Sequence, residues 1–377
     1  MKRENLYMVD GIVAYSELNN SEEAIEDILK QISKKGNPLL IIFASPEGPF
    51  KTYTERFKKA FPKAEVMGCT TFVGMSSKGS GKNCLVAWAI TDGVAVASGV
   101  LLETRHYPMK YADNVEKAVK AVNGGKNTVC IDFSTAAGNC EELIQDTFRS
   151  VLEKKHIPVA GGTAGATAPE ETTYVSLNGE VYEEAAVFLI IKNLTGKVFI
   201  YKENIYKPSG MIVTATDVDC EERVVYEFDN VPAIVALASK LGVKLDKVLE
   251  NLAEHPLGRI TGKDIYITDM RGASSDGSIT YYARIYNQTK LAILEPDDVE
   301  TVWKQTAAAV KEVVPKPSMT YAINCYTRVL FFERHNRLND YNEVMKREYG
   351  QYASMAGFGE QFNYEHFNAT MVLVVFE

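Results

Sequence analysis

The chain has 377 residues, 46% of them hydrophobic and 24% charged, and a formal net charge of -8. This is ordinary globular composition with enough length for two hydrophobic cores. The acidic balance and the lack of a lysine/arginine run speak against a nucleic-acid backbone or an anionic membrane as partner, and the apolar runs are too short to cross a bilayer.

The start of the chain, Met1–Asn5, has no apolar stretch behind it, so no leader peptide is read there. Cys69, Cys84, Cys130, Cys140, Cys220 and Cys325 form no C-x-x-C pair and no His cluster accompanies them. That argues against a zinc site or a disulfide framework and suits a reducing cytoplasm.

The first predicted element is a helix from Ser21, a natural N-cap followed by two glutamates, with Ile25, Ile28, Leu29 and Ile32 on one face. Gly36-Asn37-Pro38 stops it, and Leu39–Ala44 reads as a buried strand. A helix near Tyr53–Phe61, a strand ending in Gly68-Cys69-Thr70-Thr71 and a strand over Asn83–Ile90 follow. The same order returns twice: first as strand Thr128–Phe133, helix Cys140–Lys154, the Gly161-Gly162-Thr163 strand and strand Ala185–Ile191. It returns again as strand Met319–Cys325, a long helix to Tyr349, the Gly357-Phe358-Gly359-Glu360 strand end and strand Thr370–Phe376. One strand–helix–strand–strand unit used three times, with Gly68, Gly161 and Gly357 at matching places, implies mixed sheets, two of them, covered by helices.

Between the second and third units, the polar stretch Lys202–Gly210 reads as a linker and sets a domain boundary near 205, giving domains 1–205 and 206–377. Beyond it, Asp229-Asn230-Val231-Pro232-Ala233 starts a helix. A second helix falls near Leu245–Ala253, strands at Asp264–Thr268, Ile279–Ala283 and Leu291–Leu294, and a helix from Pro296 to Val313.

Several apparent motifs fail. Gly74–Asn83 lacks the Walker spacing, because Ser76 and Asn83 stand where glycine and Ser/Thr are needed and a strand follows; it reads as a surface hairpin. Gly161–Gly165 misplaces the first glycine of a dinucleotide turn and has no helix behind it. Neither G-x-S-x-G nor H-E-x-x-H occurs.

What remains are the strand ends, where parallel strands tend to place ligands. Cys69, Thr70, Gly162 and Thr163 end strands of the first two units. In the third, Cys325, Arg328, Gly359, Glu360 and Asn368 put a thiol, a cation, a carboxylate and an amide near the ends of neighbouring strands. Arg328 and Glu360 would complement a zwitterion. No catalytic set and no metal ligands are read. The histidines have no apolar surroundings suited to an axial ligand, so no haem is expected as purified.

Phe228–Ala233 resembles the "elDG-x-PA" helix entry of the FIST proteins, and Asn324–Arg328 their "sC-x-x-R" element. Gly357–Glu360 is similar to "GF-x-x-GE", Phe367–Thr370 to "hN-x-T", Gly68–Thr71 to "GcST" and Gly161–Gly165 to "GG-x-aGd". Ala166 departs from the acidic residue expected after Gly165. The resemblance covers about residues 38 to 377. It implies a cytoplasmic sensory protein that binds small ligands, amino acids among them, and signals through a protein partner in trans; some relatives bind haem and respond to nitric oxide. The rival reading is an enzyme with Cys325 as nucleophile.

Overall fold

The computed structural model describes residues 8–17, 20–167 and 171–377; Met1–Asn5, read above for a leader, lie outside them. The first unit runs β1 (Asp10–Ser16), α1 (Ser21–Lys35), β2 (Leu40–Ser45), α2 (Phe50–Ala60), β3 (Glu65–Thr70), a hairpin of β4 (Gly74–Ser76) and β5 (Gly79–Gly81), and β6 (Leu85–Asp92). Asn20, one residue before the expected cap, closes α1 by accepting from the N–H groups of Glu22 and Glu23. The second unit repeats the order as β7 (Val94–Leu102), α3 (Ala112–Ala121), β8 (Thr128–Ser134), α4 (Glu141–Leu152), β9 (Val159–Thr163), the hairpin β10 (Val175–Leu177) and β11 (Glu180–Tyr182), and β12 (Ala185–Asn193).

The third unit opens with β13 (Val198–Asn204), and the chain then leaves it. An inserted part follows: β14 (Tyr206–Asp219), β15 (Val224–Phe228), β16 (Val231–Pro232), α5 (Ala233–Leu241), α6 (Val248–Leu252), β17 (Leu257–Thr261), β18 (Asp264–Thr268), β19 (Met270–Ala273), β20 (Ile279–Tyr281) and β21 (Lys290–Pro296). The unit resumes with α7 (Val299–Val313), β22 (Met319–Cys325), α8 (Tyr326–Arg334), α9 (Leu338–Tyr349), β23 (Tyr352–Gly357), the hairpin β24 (Gly359–Phe362) and β25 (Glu365–Phe367), and β26 (Thr370–Phe376).

Among the described residues the strands form four sheets, where two were expected. Three have the same order: β1-β6-β2-β3-β10-β11, β7-β12-β8-β9-β24-β25 and β13-β26-β22-β23-β4-β5. Each unit thus builds four strands of its own sheet and lends its hairpin to another. The first lends to the third, the third to the second, and the second to the first. The alternation along each strand explains the packing. Leu40, Ile42 and Ala44 meet Val129, Ile131 and Phe133 and Met319, Tyr321 and Ile323 in one central core. Ile41 and Phe43 face α1 and α2 instead, Cys130 faces α3 and α4, and Ala322 faces α8 and α9. Three sheets therefore surround one axis, with helices outside.

Matching residues by the core they face corrects the glycine repeat. Gly68 pairs with Phe43 and Gly161 with Asp132, whereas the residue paired with Ala322 is Ser354, not Gly357. The glycines have a packing reason. A Cβ on Gly68 would stand 2.3 Å from the Phe43 ring, and one on Gly161 would stand 2.1 Å from Asp132 Oδ1. Opposite the small Ala322, a serine fits.

Lys202–Gly210, read as a linker, is strand on both sides of Ile205. In β14 Lys207, Pro208 and Gly210 face outward while Tyr206, Val213 and Ala215 are buried, and in β13 the charged Glu203 is itself buried. The long helix expected after Cys325 is two, broken at His335–Arg337. The chain crosses between the body and the inserted sheet at Ile205 and again at Asp297, and the crossings touch: Asp297 N–H donates to Ile205 O at 2.8 Å.

Candidate functional site

The parallel strands β2/β3, β8/β9 and β22/β23 all end where the three units meet. A ring of equivalent backbone bonds closes this end: Gly165 N–H to Thr70 O at 2.9 Å, Phe72 N–H to Ala356 O at 3.0 Å and Phe358 N–H to Thr163 O at 3.1 Å. Most of the residues singled out in the sequence lie around this ring. Cys69 is in the central core. Thr70 Oγ1 accepts from Tyr174 N–H at 3.1 Å. Thr163 pairs with Gly359 and Gly162 with Glu360 across the exchanged hairpin.

Glu360 is fully buried; one oxygen accepts from Thr370 N–H at 3.0 Å and Thr370 Oγ1 at 2.7 Å. Burial pushes its carboxyl up to about 8, against the hydrogen bonds from Thr370 and the neighbouring Cys325 thiol. Cys325 itself is 1% exposed, and burial followed by the nearby Glu360 and Asp269 raises its thiol well above the ordinary value. That is the opposite of an activated nucleophile. Asn368 bridges outward, accepting Asp269 N–H at 3.2 Å and donating to Phe358 O at 3.1 Å.

Arg328 does not join them. Because α8 begins directly after Cys325, residue 328 turns to the helix side of the third sheet, where its guanidinium pairs with Glu203 of β13. It stacks over Phe332 (4.9 Å) and Tyr341 (5.7 Å). Both partners are fully buried, Arg328 makes no ion pair with Glu360, and its Nε and Nη1 have no partner among the described residues.

The inserted sheet covers this end of the body and grips two helix starts. Over the third unit, Asp269 lies beside Thr327 in the first turn of α8, and burial raises its carboxyl to about 6 against that hydrogen bond. Over the second unit, Arg223 donates to Glu141 at 2.6 Å, to Glu142 at 2.5 Å and to Tyr282 O at 2.5 Å. Burial alone would raise the Glu142 carboxyl; Arg223 and then His366 outweigh it and hold it below the ordinary value. From Glu141 the contacts run inward: Thr163 Oγ1 donates to Glu141 at 3.3 Å, Gln361 Nε2 to Thr163 at 3.2 Å, and Gln361 lies 3.4 Å from His366 Nδ1. Beside this network a cavity of about 110 Å³ opens between the inserted sheet and the body, with Glu142, Arg284, His366, Glu365, Tyr266 and Tyr286 in its walls. A wider groove of about 400 Å³ in the first unit has no charged side chain in its walls, so it offers little to orient a polar ligand.

The repeat shows that this polarity is not demanded by the fold. Phe43 and Phe50 of the first unit stand where the second has Asp132 and Glu141, and Ser176 and Val181 stand where it has Gln361 and His366. Sequence reasoning missed Asp132, Glu141, Arg223, Gln361 and His366. Asp132 left a signal, a carboxylate inside the apolar run Thr128–Phe133. Glu141 and Glu142 looked like ordinary acids at a helix start.

Among the described residues no helix is long and apolar enough to cross a membrane, and no group of His, Cys, Asp and Glu side chains is arranged to hold a metal ion. No curated protein matches the sequence. Residues 38–231 match the family model of the FIST N domain and residues 233–363 that of the FIST C domain, so the chain belongs to the FIST family, whose domains are associated with sensory signal transduction.

Proposed function

We propose that the protein senses a small polar ligand, an amino acid being one class with fitting charge, by closing the inserted sheet over the second unit. The observation that carries this reading is the paired arrangement of a hinge and a charged cleft. The inserted sheet is tied to the body through two adjacent crossings at Ile205 and Asp297, while Arg223 locks its far contact onto Glu141 and Glu142. A ligand shifts such an equilibrium only through contacts that differ between the open and closed forms, and the cavity walls come from both sides. Arg284 offers a guanidinium to a carboxylate, and Glu142 and Glu365 accept from an ammonium. The cysteines are all free, which suits a reducing cytoplasm, and the signal passes to a partner protein in trans.

An amino-acid and metabolite panel screened by thermal shift tests the reading. A ligand at about 100 times its Kd adds roughly 2.7 kcal/mol, which moves the melting point of a body of this size by roughly 3–5 °C. Hydrogen exchange should slow at residues 223 and 282–284 with the ligand bound. A ligand that binds without changing exchange at the inserted sheet would refute closure.

A further inference from the structure

Four side chains on the helix face of the second sheet each carry a polar atom with no protein partner among the described residues: Asp132 Oδ1, Ser134 Oγ, Gln145 Oε1 and Gln361 Oε1. None is more than 1% exposed. The register gathers them. Asp132 and Gln361 flank Gly161 from opposite strands, and the missing side chain there leaves room for Asp132 to lean across. Gln145 reaches in from α4 and donates its Nε2 to Asp132 Oδ2 at 3.2 Å; Gln361 donates its Nε2 to Thr163 Oγ1. Both amides have thus used an N–H and kept an unmatched oxygen. Buried acceptors without donors are strongly unfavourable.

The other two units show how the same positions are settled when nothing has to bind there. In the third, Asn324 donates to Ser354 at 2.8 Å and accepts from Tyr341 OH at 3.0 Å, beside the apolar Ala322. In the first, Phe43 fills the space, and the hydroxyls of Thr54 and Ser45 bond to Phe50 O and Pro46 O; of the residues at these equivalent positions, Ser176 has a hydroxyl without a partner. Only the second unit collects a surplus of acceptors, and it does so next to the carboxylates of Glu141 and Glu142. What complements such a set is a compact cation with several N–H donors.

We propose that the second unit is a receptor for a primary ammonium group, seated among Asp132, Gln145 and Gln361 and shut in by the Arg223 bridge. The proposal rests on the closure described above, since the inserted sheet must part to admit the group. The ammonium has two sources, a free amine or the α-ammonium of an amino acid, and Arg284 separates them because only the second carries a carboxylate.

The test is titration calorimetry with methylamine, putrescine, α-amino acids and their N-acetyl derivatives. An amine or amino acid should bind and its acetylated form should not. Asp132→Asn, nearly isosteric, should weaken binding at least tenfold, and Gln361→Leu should weaken it as well with the fold checked by circular dichroism. Arg284→Ala should weaken amino acids only, if they are the source. Binding of a ligand that lacks an ammonium group, or unchanged affinity in Asp132→Asn, overturns this assignment while leaving the closure reading in place. If no probe binds, this assignment fails, and closure is then judged by the wider metabolite panel.

Discussion

The first and second units share strand order, register and hairpin exchange, yet they fill the same space in opposite ways. Beneath α2 the first packs Phe43 against Phe50 and Phe57, with ring centroids 5.4 and 4.8 Å apart. Beneath α4 the second holds Asp132, Gln145 and Glu141, all buried. The aromatic solution gains from area removed from water and from ring contacts. The polar one gives up that gain and must find partners for every group. A scaffold able to use the first solution has adopted the second where the inserted sheet docks, and this marks the docking place as the part under a requirement other than stability.

The comparison can be broken most forcefully at Phe43. Phe43→Ala empties the space over Gly68, and a loss of about 3–5 kcal/mol is expected in denaturant unfolding. A loss under about 1 kcal/mol would mean the aromatic packing is not what sustains the first unit. At the second unit, Arg223→Ala leaves Glu141 without its cation and Glu142 with only the more distant Arg284 at 3.8 Å, a cost of about 3 kcal/mol. That cost should fall on docking: amide exchange should quicken across β14–β21 and remain slow in β2 and β3. Uniform quickening would make Arg223 a support of the whole fold.

A third test uses pH. Glu360 stands where the first unit has Val175. The folded protein holds protons on Glu360 and Asp269 up to about 8 and about 6, where the unfolded chain has released them from about 4 upward. These two groups therefore make stability fall as pH rises from about 4 to about 8, by at most about 1.4 kcal/mol per pH unit for each group still protonated, and Asp132, whose carboxyl burial raises well above the ordinary value, adds to the fall. Glu360→Gln should lessen the fall between pH 6 and 8 and leave the lower part; an unchanged melting profile in that variant would show that Glu360 does not contribute to it. The smallest effect is expected from Asp132→Asn, which removes a buried carboxyl that no cation pairs. At a pH below the ordinary carboxylate range, where the group is protonated in the folded and unfolded chains alike, stability should change by less than about 1 kcal/mol, and a larger loss there would mean that Asp132 is needed by the fold.

The repeat was legible because buried strands, glycine-bearing strand ends and helix starts recur in one order, and β18 begins and ends where its sequence predicts. β1, β7 and β13 were not read, since each carries the mixed burial of a sheet edge and its apolar run is only four residues long, Ile12–Tyr15, Val94–Ala97 and Val198–Tyr201. Hairpin exchange could not be read at all: nothing in Gly359–Phe367 records that its neighbour is β9. The same blindness misassigned Arg328. Its partner Glu203 is distant in sequence and lies on a strand that passed for linker, so the guanidinium looked free for a ligand. The Asp132 site depends on pairs such as Gln361 with Thr163, which only the exchange brings together.

Hairpin exchange also sets an order of events for a chain leaving the ribosome. The first sheet waits from Thr70 to Val175 for β10 and β11, while the third finds β4 and β5 already made. The second sheet waits longest, holding β9 as a bare edge from Thr163 until β24 begins at Gly359. Exposed edges invite pairing with other chains. A chain stopped after the FIST N region, at residue 231, would carry that bare edge permanently, and with it the stump of β13 without β26. Such a fragment should aggregate where the full chain does not, and the nascent protein has reason to depend on a chaperone until β24 and β26 arrive.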